Sequence, residues 1–132
     1  MQTLPIRLNP GADLRAAFEA LVREHGEHAG FIVSAIGSLD GAVLRFAAEP
    51  NAERLEGPME IVSLAGSVSA DGAHLHMSVA DRTGRVWGGH VAYGNIVRTT
   101  VEALLVALPD WSLSREVDAG TGYPELVVRR RS

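Results

Sequence analysis

Two tight turns constrain this chain more than any other feature. Asp71-Gly72 and Asp81-Arg82-Thr83-Gly84 interrupt residues 59–92, where apolar residues alternate with small polar ones. Alternation of period two is the pattern of a strand with one face buried and one face wet. Asp-Gly is favoured in two-residue hairpin loops because both residues tolerate positive φ. Asp at the first position of a turn and Gly at the fourth fit a type I turn followed by a glycine bulge. The segment therefore predicts three consecutive antiparallel strands.

Counting from the turns gives a register. A two-residue Asp71-Gly72 loop pairs Ala70 with Ala73, and so Ser69 with His74, Ser67 with His76 and Ala65 with Ser78. The second turn pairs Asp81 with Arg85 and puts His76 directly opposite His90, with His74 two residues along on the same face. One face then carries Val62, Leu64, Val68, Leu75, Met77, Val79, Trp87 and Val91, which suits a core. The other carries Ser63, Ala65, Ser67, Ser69, His74, His76, Ser78, Ala80, Gly88, His90 and Ala92. Three imidazoles project from a floor of small residues. A slip of one residue at the second turn would turn His90 into the core, and the apolar alternation opposes it.

The rest of the chain supplies a helix and further strands. Residues 2–8 suit a short strand. Asn9-Pro10-Gly11 breaks it, Asp13 can cap a helix starting at Leu14, and Leu14, Ala17, Phe18, Leu21 and Val22 recur at helical spacing up to Gly26. Strands are expected at 31–36, 43–47, 111–117 and 126–129, with a surface loop at 48–58. Residues 96–108 fit either type. Their apolar residues suit a helix, and the Val/Thr-rich start favours a strand. The sum is an α+β fold, a mainly antiparallel β-sheet with one principal helix packed on a face. The 132 residues suit one domain.

Composition excludes several functions. There is no cysteine, so thiolate metal sites and disulfides are out, and any metal must be held by His, Asp or Glu. The net charge of −4 opposes a whole-domain grip on nucleic acid. No apolar run reaches membrane-spanning length and no secretory leader opens the chain, so a cytoplasmic domain is expected. No glycine pattern matches a dinucleotide or P-loop fingerprint, and no serine has nucleophile-elbow spacing.

Three convergent neutral imidazoles suit Zn²⁺ or a similar divalent ion and leave a fourth position open. Asp81 and Glu102 are the candidate catalytic residues, as further ligands, orienting partners or proton carriers. Glu102 has that role only if it shares the histidine face; otherwise it is a salt-bridge partner for Arg98. The competing reading is a polar subunit interface or plain surface, where histidines hydrogen-bond without metal. Both stay open, and both hold if the site lies between subunits. His25 and His28 at the helix end complement its dipole. Gly88, on the histidine face, marks close approach of a ligand or chain. Arg129-Arg130-Arg131 is read as a solvated basic tail.

The runs EIVSLAGSVS (60–69), HLHMSVAD (74–81), GRVWGGHV (84–91) and IVRTTVEALL (96–105), with FIVSAIGSL upstream and REVDAGTGYPEL downstream, resemble the PPC family, the "plants and prokaryotes conserved" domain. The resemblance implies an antiparallel sheet on a helix, assembled as a homotrimer. It implies a metal site, with zinc as the candidate, at His74, His76 and His90, and an unsettled biochemical role. Plant members add AT-hook segments and bind protein partners. No Arg-Gly-Arg-Pro occurs here, so DNA binding does not carry over. Three functions compete: a metal-binding regulatory trimer, a small metal-dependent enzyme, and a DNA-associated or protein-interaction module. A cupin-type enzyme fits less well, because the His76–His90 spacing is short for it.

Overall fold

The computed structural model describes residues 1–132. Eight strands and one helix follow in the order β1 (Gln2–Leu8), α1 (Leu14–Gly26), β2 (Gly30–Arg45), β3 (Glu53–Ser69), β4 (Gly72–Ala80), β5 (Val86–Val91), β6 (Val97–Ala107), β7 (Trp111–Val117) and β8 (Pro124–Arg130). The first six strands form one antiparallel sheet, ordered β1-β6-β2-β3-β4-β5. The far end of β2 also pairs with β5, Leu44 with Val91 and Arg45 with His90, so β2 to β5 curl into a closed ring. Strands β7 and β8 form a separate hairpin.

Helix α1 forms where the spacing predicts it. Asp13 accepts from the Ala16 amide, satisfying one of the free donors of the first turn. Its second carboxylate oxygen accepts from the Gly94 amide, which ties the helix start to the β5–β6 connection. Leu14, Phe18 and Val22 form a fully buried stripe. They pack with Ile32, Leu39, Leu64, Leu75, Val79, Val101 and Leu105 from the sheet. Fully buried Asn95 fills its polar capacity with the backbone, accepting from the Val43 amide and donating to the carbonyls of Val43 and Ala92.

The ambiguous stretch 96–108 is strand over Val97–Ala107. Val97, Val101, Leu105 and Ala107 bury one side of β6 while Glu102 and Leu104 stay exposed, and β6 lies between β1 and β2. Strands expected at 31–36 and 43–47 are one continuous β2, with a register shift at Asp40/Ala42 in place of a break. Part of the loop expected at 48–58 belongs to β3, which begins at Glu53 because its first residues extend the ladder with the far end of β2.

The first hairpin register also needs correction. Ser69 pairs with Gly72, so Ser67 faces His74, Ala65 faces His76 and Ser63 faces Ser78. The turn residues are Ala70 and Asp71, neither with positive φ, and Gly72 follows them at φ +104°. The loop is thus two residues long, as expected, but it is Ala70-Asp71 and not Asp71-Gly72. Gly72 is already a paired residue, and glycine takes its positive φ without penalty. The displacement is two residues, so every side chain keeps its face. Val62 does not: a bulge between Ile61 and Ser63 leaves it 54% exposed, against its expected core position.

Candidate metal centre

The second turn has the predicted register. The Gly84 amide donates to the Asp81 carbonyl and the Asp81 amide to the Arg85 carbonyl, which pairs Ala80 with Val86 and His76 with His90. The helix and core cover the opposite face of these strands, where Leu75, Met77, Val79 and Val91 are buried. His74, His76 and His90 project together from the other side, above Ala65, Ser67, Ser78 and Gly88.

The three rings converge. One nitrogen from each can be chosen so that all lie within 4.8 Å of one another. His76 Nε2 and His90 Nδ1 are 3.1 Å apart, so one ring donates its N–H and the other accepts. His76 stands edge-on to both neighbours, with centroids 4.4 Å from His90 and 5.0 Å from His74. His74 and His90 lie near parallel at 5.5 Å. With Zn–N bonds near 2.0–2.1 Å, nitrogens on one tetrahedral ion lie roughly 3.4 Å apart. Small ring rotations therefore bring the set to ligating distance, and the donor chemistry fits a borderline divalent ion.

At His74 and His90 the surroundings favour neutral imidazole, which is the ligating form. Burial lowers the His74 pKa, helped by the nearby charges of Arg115, His76 and His90 and opposed by Glu125. Burial also lowers His90, followed by Arg45 and His76. Both groups bind protons more readily unfolded than folded, so their contribution to stability is present above about pH 6.5. It is lost as pH falls through the lower folded values.

Asp81 is not in the cluster. One of its carboxylate oxygens accepts from the Thr83 hydroxyl at 2.7 Å, the Thr83 amide at 2.9 Å and the Arg85 amide at 3.0 Å. The Thr83 hydroxyl is the main reason its pKa is lowered. It anchors the turn, and a carboxylate so stabilised is a poor base at neutral pH. Glu102 shares the histidine face but sits on β6, with β2 and β3 between it and β4. Three strand spacings put it roughly 14 Å away. It does not pair with Arg98, whose partner is Asp40 at 3.7 Å.

Gly88 lies on the histidine face, opposite Ser78. Within the chain the close backbone approach is at Gly89: a Cβ there would lie 2.7 Å from the Arg45 carbonyl oxygen, whereas at Gly88 it would meet only Met77 O at 3.5 Å. The basic tail is engaged within the chain. Arg129 pairs with Glu116, Arg130 lies over Trp111 and Arg131 pairs with Glu27. Sequence reasoning missed Arg45 and Arg115 beside the histidines. The β2–β5 pairing and the β7–β8 hairpin bring them there, and no local spacing signals either. Two recesses of about 250 and 330 Å³ surround Arg82 and Arg98 and are lined by no histidine.

Fold and face together define a single-helix antiparallel β domain with a surface cluster of three imidazoles. The chain belongs to the Plants and Prokaryotes Conserved (PCC) domain family, which matches residues 1–109. A bifunctional protein GlmU of Synechococcus sp. (strain JA-2-3B'a(2-13)) is 43% identical over 129 residues, which are 98% of this chain and 20% of that protein. The chain thus spans about a fifth of the length of the curated relatives it matches. A hypothetical protein of Salmonella superposes with a TM-score of 0.91 at 34% identity, covering 99% of this chain and 95% of the other. A metal-containing protein of Archaeoglobus fulgidus superposes with a TM-score of 0.80 at 28% identity, covering 96% and 94%.

Proposed function

We propose that this chain is a metal-binding domain that holds one divalent ion, with zinc the best match, through His74, His76 and His90. The observation that carries the reading is the convergence of three imidazole nitrogens within 4.8 Å. The metal-containing description of the Archaeoglobus relative supports it. A bound ion would supply Lewis acidity at its open position. The role served by the domain is regulatory in this reading, because neither Asp81 nor Glu102 reaches the histidines to move protons. The DNA-associated alternative has less support, since the chain is acidic and its C-terminal arginines are already paired.

The domain works as a homotrimer in this proposal. Phe31, Ile36 and Leu104 are 37%, 51% and 37% exposed. The register puts them on the histidine face: Phe31 is opposite Ser67, which is opposite His74. A contiguous exposed apolar face is what subunit contact covers. Elemental analysis of protein purified without added chelator should find one zinc per chain, and sedimentation should give three times the chain mass of 14.1 kDa. Metal-free protein after zinc addition and dialysis would sink the metal reading; a monomer at micromolar concentration would sink the trimer.

Metal retention should also depend on pH in one direction. Protons compete with the metal for imidazole, and the lowered values of His74 and His90 extend the neutral form downward. Zinc should stay bound at pH 7 and be released below about pH 6. Dialysis at graded pH followed by elemental analysis checks this, and full retention at pH 4 would contradict imidazole ligation.

A further inference from the structure

We propose that the histidine face binds a small oxyanion, a carboxylate or a phosphoryl group, gripped between Arg45 and Arg115 at the open position of the metal. This rests on the metal reading above.

Two guanidinium groups flank the cluster from opposite sides. Arg45 ends β2 and is directly opposite His90, so both side chains leave the same face. It is half-buried, and its one hydrogen bond to protein is from Nη1 to the Glu49 carbonyl at 3.1 Å. Arg115 reaches the face from β7. Its Nη2 donates at 3.0 Å to the Ser67 hydroxyl, and Ser67 is the cross-strand partner of His74. Its own amide donates to the Asp71 carboxylate at 2.7 Å, and the Ala70 amide donates to the Leu113 carbonyl, so the turn holds β7 in place. Neither arginine has an ion-pair partner. The arrangement across the face is guanidinium, three imidazoles, guanidinium.

Glu125 acts on the cluster through His74, and the Asp71 carboxylate accepts from the Arg115 amide. Two guanidiniums and a divalent ion against these two carboxylates leave a formal excess of two positive charges, in a chain whose net charge is −4. A dication beside two unpaired guanidiniums is unfavourable unless an anion joins them. A metal with an open position, bracketed by planar forks of N–H donors, suits an oxyanion with one oxygen on the metal and the others on arginine.

The test uses the full chain loaded with cobalt(II), whose visible bands report its ligands. Titration with methylphosphonate, and separately with acetate, should shift these bands saturably with at least one of the two. An Arg45→Gln/Arg115→Gln double variant should still bind one cobalt per chain and bind the anion at least about tenfold more weakly. Arg115→Lys, which keeps the charge and loses the fork, should fall between. Cobalt bands that ignore both anions, or equal anion affinity in wild type and double variant, overturn the inference and leave the metal reading standing. Failure of the wild type to bind cobalt removes both. Because wild-type titration alone can overturn the proposal, it does not depend on the double variant folding.

Discussion

A His76→Ala variant is expected to bind zinc at least about a hundredfold more weakly than the wild type, with the fold unchanged. Loss of an orienting partner outside the ligand set commonly costs 10–100-fold, so loss of a ligand costs at least the upper figure. His76 is the most central of the three rings, edge-on to both others. It is also exposed, so truncation leaves no cavity and disturbs no core contact. Competition against a chromophoric chelator gives the affinity, and circular dichroism checks the fold. Asp81→Asn and Glu102→Gln should retain zinc at wild-type affinity, because the structure puts both carboxylates outside the cluster. Loss of zinc in either variant, with His76→Ala unaffected, would reassign the site.

The second large effect is expected at Gly89. A methyl group there would lie 2.7 Å from the Arg45 carbonyl oxygen and 3.4 Å from Leu44 Cβ. The obstacle is backbone in a paired strand, so β2 and β5 must separate. Gly89→Ala should cost stability at the upper end of the ~1–3 kcal/mol typical of overpacking. It should also weaken zinc binding, because the displaced segment carries His90 and faces Arg45. Gly88→Ala is the control: its Cβ makes one ordinary contact, and its effect should stay within about 0.5 kcal/mol. Urea denaturation of the pair checks the difference, and equal midpoints would contradict the β2–β5 closure.

The histidine face was legible in the sequence because its logic is local. A type I turn with a glycine bulge fixes which residues oppose each other across β4 and β5, and His76 opposite His90 follows by counting. Turn chemistry misleads at Asp71-Gly72, where the dipeptide fits a two-residue loop and also the last loop residue plus the first paired residue of β4. The two choices differ by an even number of residues, so His74 and His76 keep their face either way. Val62 fails for the opposite reason. A bulge inserts one residue, and one residue reverses a face. Glu102 shows the limit of face assignment. Its face matches that of the histidines, but strand order decides lateral distance, and β2 and β3 intervene. Arg45 and Arg115 lay beyond reach because long-range pairings bring them to the site. Helix α1 was clear throughout, since an Asp cap and a Leu14-Phe18-Val22 stripe are both short-range signals.

X-ray absorption at the zinc edge of the loaded protein tests most directly whether three imidazoles share one metal ion. The prediction is four light-atom ligands at about 2.0–2.1 Å, with the outer-shell scattering of three imidazole rings, reduced to two in His76→Ala. A wild-type spectrum with one imidazole or none, or with six oxygen ligands and no ring scattering, would contradict it.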